Sequence, residues 1–242
     1  AFDEGHYALP LWGWANFLVP LFRMTPDRNG VFTQLNQQWT SSYYPGIGIL
    51  ALAALAVWRR REPRVWLLAG VAVLGVWLAM GQNAFLLNWL KTLCPPLGFI
   101  RFPIKYVLLP LMVLPFLAAM GMAMLRQRES YIAQPARHPN DEPQPAWFAP
   151  FTWAAMMVMA LYGAIHFWAR QSAEGSAGLH QGPWPVLTLL VLVMFLVRPL
   201  NTVSVGTLKP LVFALVVLAA DIVLHAPRQN PTVITQAYEP EV

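Results

Sequence analysis

This sequence contains six long apolar blocks. Whether these blocks are surrounded by water or by lipid determines the fold that the chain can adopt. The blocks are rich in Leu, Ala, Val and Met, carry almost no charge, and cover residues 43–58, 65–80, 103–125, 147–168, 184–197 and 205–224. Only 11% of all residues are charged, less than half of the ~25% typical of soluble domains. Such blocks indicate membrane-crossing helices, because every lipid-exposed backbone amide must be satisfied within its own segment. We therefore predict an all-α, polytopic transmembrane bundle of about six spans.

The charged residues between the apolar blocks predict the orientation of the bundle in the membrane. The turn at 59–64 contains four arginines, and the loops 59–64, 126–146 and 198–209 together hold nine Lys/Arg against four acids. Positively charged short loops stay in the cytoplasm, so both ends of this chain are expected outside a bacterial cytoplasmic membrane. The net charge of +5 then reflects topology, and nucleic acid is not an expected partner.

The remaining segments predict the domain organisation. Residues 1–42 are expected to form an outer-face interfacial segment, in which Trp12 and Trp14 suit the headgroup layer. A first three-helix unit covers 43–125 and includes an outer loop, 81–105, with a short interfacial helix near 84–93. A mobile cytoplasmic linker, 126–146, leads to a second three-helix unit, 147–224, and an outer tail, 225–242. Because residue 1 is not Met and the tail lacks a compact ending, we expect further sequence on both sides.

Arg101 and Lys105 are the strongest candidates for a binding site. They flank Pro103 at the outer mouth of the third predicted span, where proline favours the first helical turn. The free N–H groups and the dipole of a helix N-terminus attract anions, and two cations beside them suit a lipid-linked phosphate. The alternative is that both side chains simply reach toward the headgroups of bulk lipid.

Other ionisable residues are weaker candidates. Asp221 and His166 fall near the outer ends of spans six and four, where an ionisable group can be functional but is also hydrated at little cost, which favours a non-functional reading. Asp3 and Glu4 could act as an outer acid or base, although two acids near a chain end are usually just solvated.

Several kinds of chemistry are not indicated by any motif. Cys94 is the only cysteine, and the five histidines lack metal-ligand spacing, so neither an internal disulfide nor a metal site is predicted. The sequence contains no P-loop, no GxGxxG and no nucleophile elbow, and no cofactor is expected. No charged residue lies in the middle of a predicted span, which argues against a proton pump or a voltage sensor.

Three short motifs resemble a known family. Residues 39–46 (WTSSYYPG), 98–106 (GFIRFPIKY) and 230–233 (NPTV) look like the C-terminal half of bacterial YfhO-like membrane proteins. That family resembles the GT-C class of polyprenyl-phosphate-sugar-dependent glycosyltransferases. The resemblance implies an enzyme that takes a sugar from a lipid phosphate carrier on the outer face and transfers it to a cell-envelope glycan.

The resemblance also bears on the site residues and the partners. It implies that the catalytic acid lies in the first outer loop of such enzymes, in a half that this chain lacks, so no catalytic residue is assigned. Arg101 and Lys105 match the family's basic pair and are expected to contact the carrier phosphate. The expected partners are membrane lipids and a polyprenyl-phosphate sugar, while other subunits remain unknown. The competing hypothesis is a non-enzymatic lipid or glycan translocase, or a scaffold subunit of a membrane complex.

Overall fold

The computed structural model describes residues 7–26, 32–34, 42–96, 102–132, 148–171, 184–197 and 208–226, and these are mostly helical. Their α-helices are α1 (Ile47–Arg59), α2 (Pro63–Ala79), α3 (Phe85–Leu93), α4 (Leu108–Ile132), α5 (Phe148–Gln171), α6 (Trp184–Val197) and α7 (Leu208–His225). The described residues also contain a short antiparallel pair of strands that was not predicted, β1 (Met24–Pro26) and β2 (Phe32–Gln34). The helical class is otherwise confirmed.

Local sequence explains where the helices start. Pro63 occupies the first turn of α2, where its missing N–H costs nothing. Helix α1 begins at Ile47 rather than at residue 43, because Gly46 takes a left-handed φ of 100° and turns the chain into the helix. Helix α4 continues to Ile132, into the segment predicted as a linker. The rest of that linker, 133–146, lies outside the described residues.

Within the described residues, one helical stretch is both long enough and apolar enough to cross a membrane. Pro103–Leu125 is 23 residues long and apolar, and 33% of its most apolar part is buried. Four shorter apolar helices accompany it within the described residues: Ile47–Arg59, Pro63–Ala79, Thr152–Trp168 and Val212–His225. The arrangement of about six spans therefore stays a prediction.

Helix α1 is the centre of the bundle. Its buried residues include Ala51, Leu52, Ala53 and Leu55, which point to different sides and contact α2, α4, α5 and α7. The crossing with α4 is especially close, since a Cβ atom built on Gly121 would overlap the carbonyl oxygen of Leu52. Small residues at such crossings allow two helix backbones to approach each other.

The outer surface of the bundle is apolar. Large apolar side chains are exposed on the outer helices: Trp66, Leu67 and Val73 on α2, Met112 and Phe116 on α4, Met157 and Phe167 on α5, Leu190 on α6, and Val216 and Val223 on α7. We call this surface the apolar belt. So many large exposed apolar side chains are typical of a surface in contact with lipid or with another protein.

Residues 7–26, here called the cap segment, cover one end of the bundle. Leu9, Phe17, Phe22 and Met24 are buried, and the chain includes a 3-10 helix at Gly13–Phe17. The N–H of Leu9 donates to the carbonyl of Ala79 at the end of α2. This end of the bundle, where α1 and α4 begin and α2 and α7 end, is called the capped end. Whether the cap segment lies at headgroup depth stays a prediction.

Candidate functional site

The cap segment is held to the bundle by polar contacts. The hydroxyl of Tyr43 donates to the carbonyl of Gly13 at 2.8 Å, which joins the chain before α1 to the cap segment. The N–H of Ile104 donates to the carbonyl of Tyr7 at 3.0 Å, and the side-chain amide of Asn83 donates to the carbonyl of Leu9 at 2.9 Å. These contacts join the cap segment to the chain before α1, to the residues after α2 and to the start of the stretch that leads into α4.

Lys105 lies at the beginning of the membrane-length helix, as the sequence predicts. It belongs to the 3-10 helix Pro103–Val107 that precedes α4, and its side chain is exposed. Its Nζ atom lies 4.8 Å from the centre of the Phe102 ring, a cation–π contact. Arg101, the other member of the predicted pair, lies outside the described residues, as do Asp3 and Glu4.

Asp221 lies in a quite different environment from the one we expected. Its position near the end of α7 suggested cheap hydration, but the residue is 1% exposed and is enclosed by the bundle. The prediction of hydration was therefore wrong. The reason is tertiary, because the residues before α1 and the last turn of α7 pack over the carboxylate.

The Asp221 carboxylate ties α7 to the start of α1. Its Oδ2 atom accepts hydrogen bonds from the hydroxyl of Tyr44 and from the backbone N–H of Ile47, both at 2.9 Å. The N–H of Ile47 also lies 2.8 Å from the Tyr44 hydroxyl oxygen, so it is shared between two acceptors. Ile47 is the first residue of α1, and Asp221 thus caps a helix to which it does not belong.

Gly46 makes this arrangement possible. A Cβ atom at this position would lie 3.3 Å from Asp221 Oδ2 and 3.2 Å from Cγ1 of Ile222. The φ of 100° is in addition a backbone conformation that only glycine adopts readily. Both effects require glycine where the carboxylate meets the helix start.

His225 completes the cluster from the next turn of α7. Its Nδ1 atom lies 2.6 Å from the carbonyl oxygen of Asp221 and 3.1 Å from Oδ1 of the same residue. A carbonyl oxygen can only accept, so Nδ1 carries a hydrogen. The approach to Oδ1 is too poorly aligned to count as a hydrogen bond, and this atom has no other partner among the described residues. The Tyr44 ring meets the imidazole edge-on, with ring centres 5.4 Å apart.

His166 is placed beside this cluster but does not join it. Its ring stacks on Tyr162 with ring centres 5.7 Å apart, and its buried Nδ1 atom has no hydrogen-bond partner in the described part of the chain. Tyr162 is a buried member of the same hydrophobic core as Tyr44. No group of three or more potential metal ligands occurs among the described residues.

The geometry of Asp221, His225 and Tyr44 favours a structural role, in which the three residues hold α7 against the start of α1. Every polar contact of the carboxylate goes to a helix end or to a neighbouring ring, and the three side chains are almost fully buried. Two sequence signals point to this cluster in hindsight: the i, i+4 spacing of Asp221 and His225, and a glycine directly before the first helix. Neither signal reveals by itself that the Asp221 carboxylate lies against the glycine at the start of α1.

Comparisons with known proteins were negative: no family model, curated protein or solved structure matches this chain. The YfhO-like resemblance and the activity that it implies therefore stay predictions, carried by the three motifs alone.

Proposed function

We propose that this chain is a membrane-embedded helix bundle that contributes the carrier-binding end of a polyprenyl-phosphate-sugar-dependent glycosyltransferase of the cell envelope. The observation that carries the membrane part is the apolar belt. Leu67 is 69% exposed, Met112 69% and Val223 72%, and they lie on three different helices. Lipid solvates such a surface, whereas water would drive it to aggregate.

The short helices fit this proposal if their flanks extend them. Helix α1 has 13 residues and is about 20 Å long, against a hydrocarbon thickness of about 30 Å. Its end carries Trp58, which is 50% exposed, followed by Arg59 and Arg60. A tryptophan at the interface and arginines that extend into the headgroups allow a short helix to span, with local thinning of the bilayer.

The carrier-binding part of the proposal rests on Lys105. This exposed residue lies at the start of the membrane-length helix, at the end of the bundle opposite to the arginine-rich turn at 59–64. In the proposed orientation that turn is cytoplasmic, so Lys105 reaches outer-leaflet headgroups. Arg101 lies four positions earlier in the sequence, and together the two cations would neutralise the phosphate of a lipid carrier.

The test replaces both cations in the full-length protein that contains this chain. Arg101→Ala combined with Lys105→Ala should abolish transfer from a radiolabelled polyprenyl-phosphate sugar to envelope glycan, while the amount of protein in the membrane fraction stays constant. The matched control, Lys91→Ala with Arg170→Ala, also removes two positive charges and should retain transfer. Normal transfer by the Arg101/Lys105 variant would refute the phosphate site.

A second candidate is a non-enzymatic scaffold or translocase, and one observation favours it. Asp221 is the one buried acid whose side chain the structure describes, and its contacts serve to join α1 to α7 rather than to face a substrate. A full-length protein that inserts normally but transfers no sugar from any polyprenyl-phosphate donor supports this candidate.

A further inference from the structure

Arg23, in the cap segment, lies among aromatic rings. The central carbon of its guanidinium is 4.8 Å from the Trp168 ring centre, 5.3 Å from that of Trp12 and 5.8 Å from that of Phe22. The Phe22 and Trp168 rings also contact each other, with centres 5.3 Å apart. A guanidinium stacked in this way is held in a fixed place, because cation–π contacts restrict an otherwise mobile side chain.

The hydrogen-bonding capacity of Arg23 is not used by these contacts. Its Nε atom is buried and has no hydrogen-bond partner among the described residues. The two acidic side chains that the structure describes are engaged elsewhere, Glu62 with Arg60 and Asp221 with His225. A buried, unsatisfied donor on a charged group is costly, and such a group in a native fold calls for a partner.

The backbone around Arg23 is strained as well. Arg23 has a φ of 51° and Leu21 a φ of 55°, both in the left-handed region that residues other than glycine rarely adopt. Each such residue costs of the order of 1 kcal/mol or more, and strain of this kind clusters at binding sites. Arg23 remains partly exposed, so burial of this residue does not explain the strained backbone. With this backbone, the guanidinium lies between Trp12 of the cap segment and Trp168 near the end of α5.

From these observations we propose that Arg23, with Trp12 and Trp168, binds a phosphate group at the capped end of the bundle. A guanidinium offers paired N–H donors that match phosphate oxygens, and the Nε donor of Arg23 has no hydrogen-bond partner among the described residues. Trp168 is 40% exposed, so this cluster of rings reaches the surface of the bundle. In the proposed membrane placement, the capped end lies near the headgroup layer. The phosphate belongs either to a lipid or to a free phosphate ion.

The site is distinct from the one proposed at Lys105. Lys105 contacts Phe102 at the start of the membrane-length helix, whereas Arg23 contacts rings of the cap segment and α5. The inference rests on the proposed membrane placement but not on sugar transfer. It can therefore fail or succeed independently of the transferase proposal.

Native mass spectrometry of the detergent-solubilised chain tests the site directly. The probe is farnesyl phosphate, with farnesol as the phosphate-free comparison. The unmodified chain should bind farnesyl phosphate and not farnesol, and Arg23→Ala should weaken binding about tenfold or more. Arg23→Lys should restore only part of the affinity, because an ammonium group keeps the charge but lacks the planar pair of donors.

The matched control is Arg170→Ala, which removes an exposed positive charge at the end of the same helix that carries Trp168. It should leave binding unchanged. Equal weakening by Arg170→Ala and Arg23→Ala would reduce the effect to general electrostatics and overturn the proposal, as would unchanged binding in Arg23→Ala or no binding by the unmodified chain. If Arg23→Ala does not fold, as judged by circular dichroism, Arg23→Lys decides between these outcomes.

Competition then identifies the source of the phosphate. Displacement of farnesyl phosphate by inorganic phosphate assigns a free ion, and displacement only by phosphatidylglycerol assigns a lipid headgroup. The Arg101/Lys105 double variant is measured in parallel. Loss of binding in Arg23→Ala together with normal transfer by the double variant would support this site and refute the other one.

Discussion

The backbone N–H of Ile47, the first residue of α1, donates a 2.9 Å hydrogen bond to the carboxylate of Asp221 near the end of α7. The residue before α1, Gly46, has no side chain to supply this cap. An α-helix is normally capped by the residue that directly precedes it, whereas α1 is capped by a residue of α7, the last helix of the described chain. The contact joins segments that are 174 residues apart.

Removal of this carboxylate should destabilise the bundle. Asp221→Ala removes the hydrogen bonds that the buried carboxylate accepts from the N–H of Ile47 and from the hydroxyl of Tyr44. We expect the free energy of unfolding to fall by about 3 kcal/mol. Glu62→Ala removes an acid whose side chain is 55% exposed, and it should cost less than about 1 kcal/mol. Reversible unfolding in mixed detergent micelles measures both. Equal losses would contradict the capping role.

Gly46→Ala should lower the free energy of unfolding by about 1–3 kcal/mol, because alanine must adopt the left-handed φ and also crowd Asp221. Gly70 offers a control of opposite sign. It lies on an exposed face of α2 with nothing within 4 Å of an added Cβ atom, so Gly70→Ala should stabilise by about 0.5–1 kcal/mol. The same unfolding assay applies, and stabilisation by both substitutions would show that Gly46 is not constrained.

Gly121→Ala tests the close crossing of α1 and α4. The added methyl group would overlap the carbonyl of Leu52, so the helices must separate, at a cost of about 1–3 kcal/mol. Gly163→Ala in α5 meets open space and should not destabilise. A shift of the unfolding midpoint for Gly163→Ala as large as that for Gly121→Ala would mean that helix packing is not the cause.

Asn16→Ala should loosen the cap segment while leaving the helices intact. The Asn16 side chain is 1% exposed, donates to the carbonyl of Phe22 at 3.0 Å and accepts from its N–H at 2.8 Å. Without it the carbonyl of Phe22 loses the Asn16 donor, and its N–H keeps only the longer contact of 3.2 Å to the carbonyl of Val19. The amide of Phe22 should therefore exchange with deuterium at least about tenfold faster. The amides of α4 serve as the internal control. Unchanged exchange at Phe22 would show that other contacts hold the cap segment.

Sequence reasoning located the helices well and the site poorly. The block 184–197 has the same bounds as α6, and the block 103–125 is the stretch of membrane length, because apolar runs and prolines act locally. The burial of Asp221 was missed, since it depends on Tyr44 and Ile47 folding over α7. The cation–π contacts of Arg23 were missed for the same reason, as Trp168 is distant in sequence and only packing brings it close.

The proposed orientation of the bundle in a membrane can be tested with one reagent. Cys94 is the only cysteine, it is exposed, and it follows α3 on the side of the capped end. A membrane-impermeant thiol reagent applied to intact cells should label Cys94. In a Cys94→Ser background, Arg61→Cys in the turn between α1 and α2 should be labelled only after the membrane is permeabilised. Labelling of Arg61→Cys in intact cells, or recovery of the protein in the soluble fraction, would contradict a membrane bundle whose capped end faces outward.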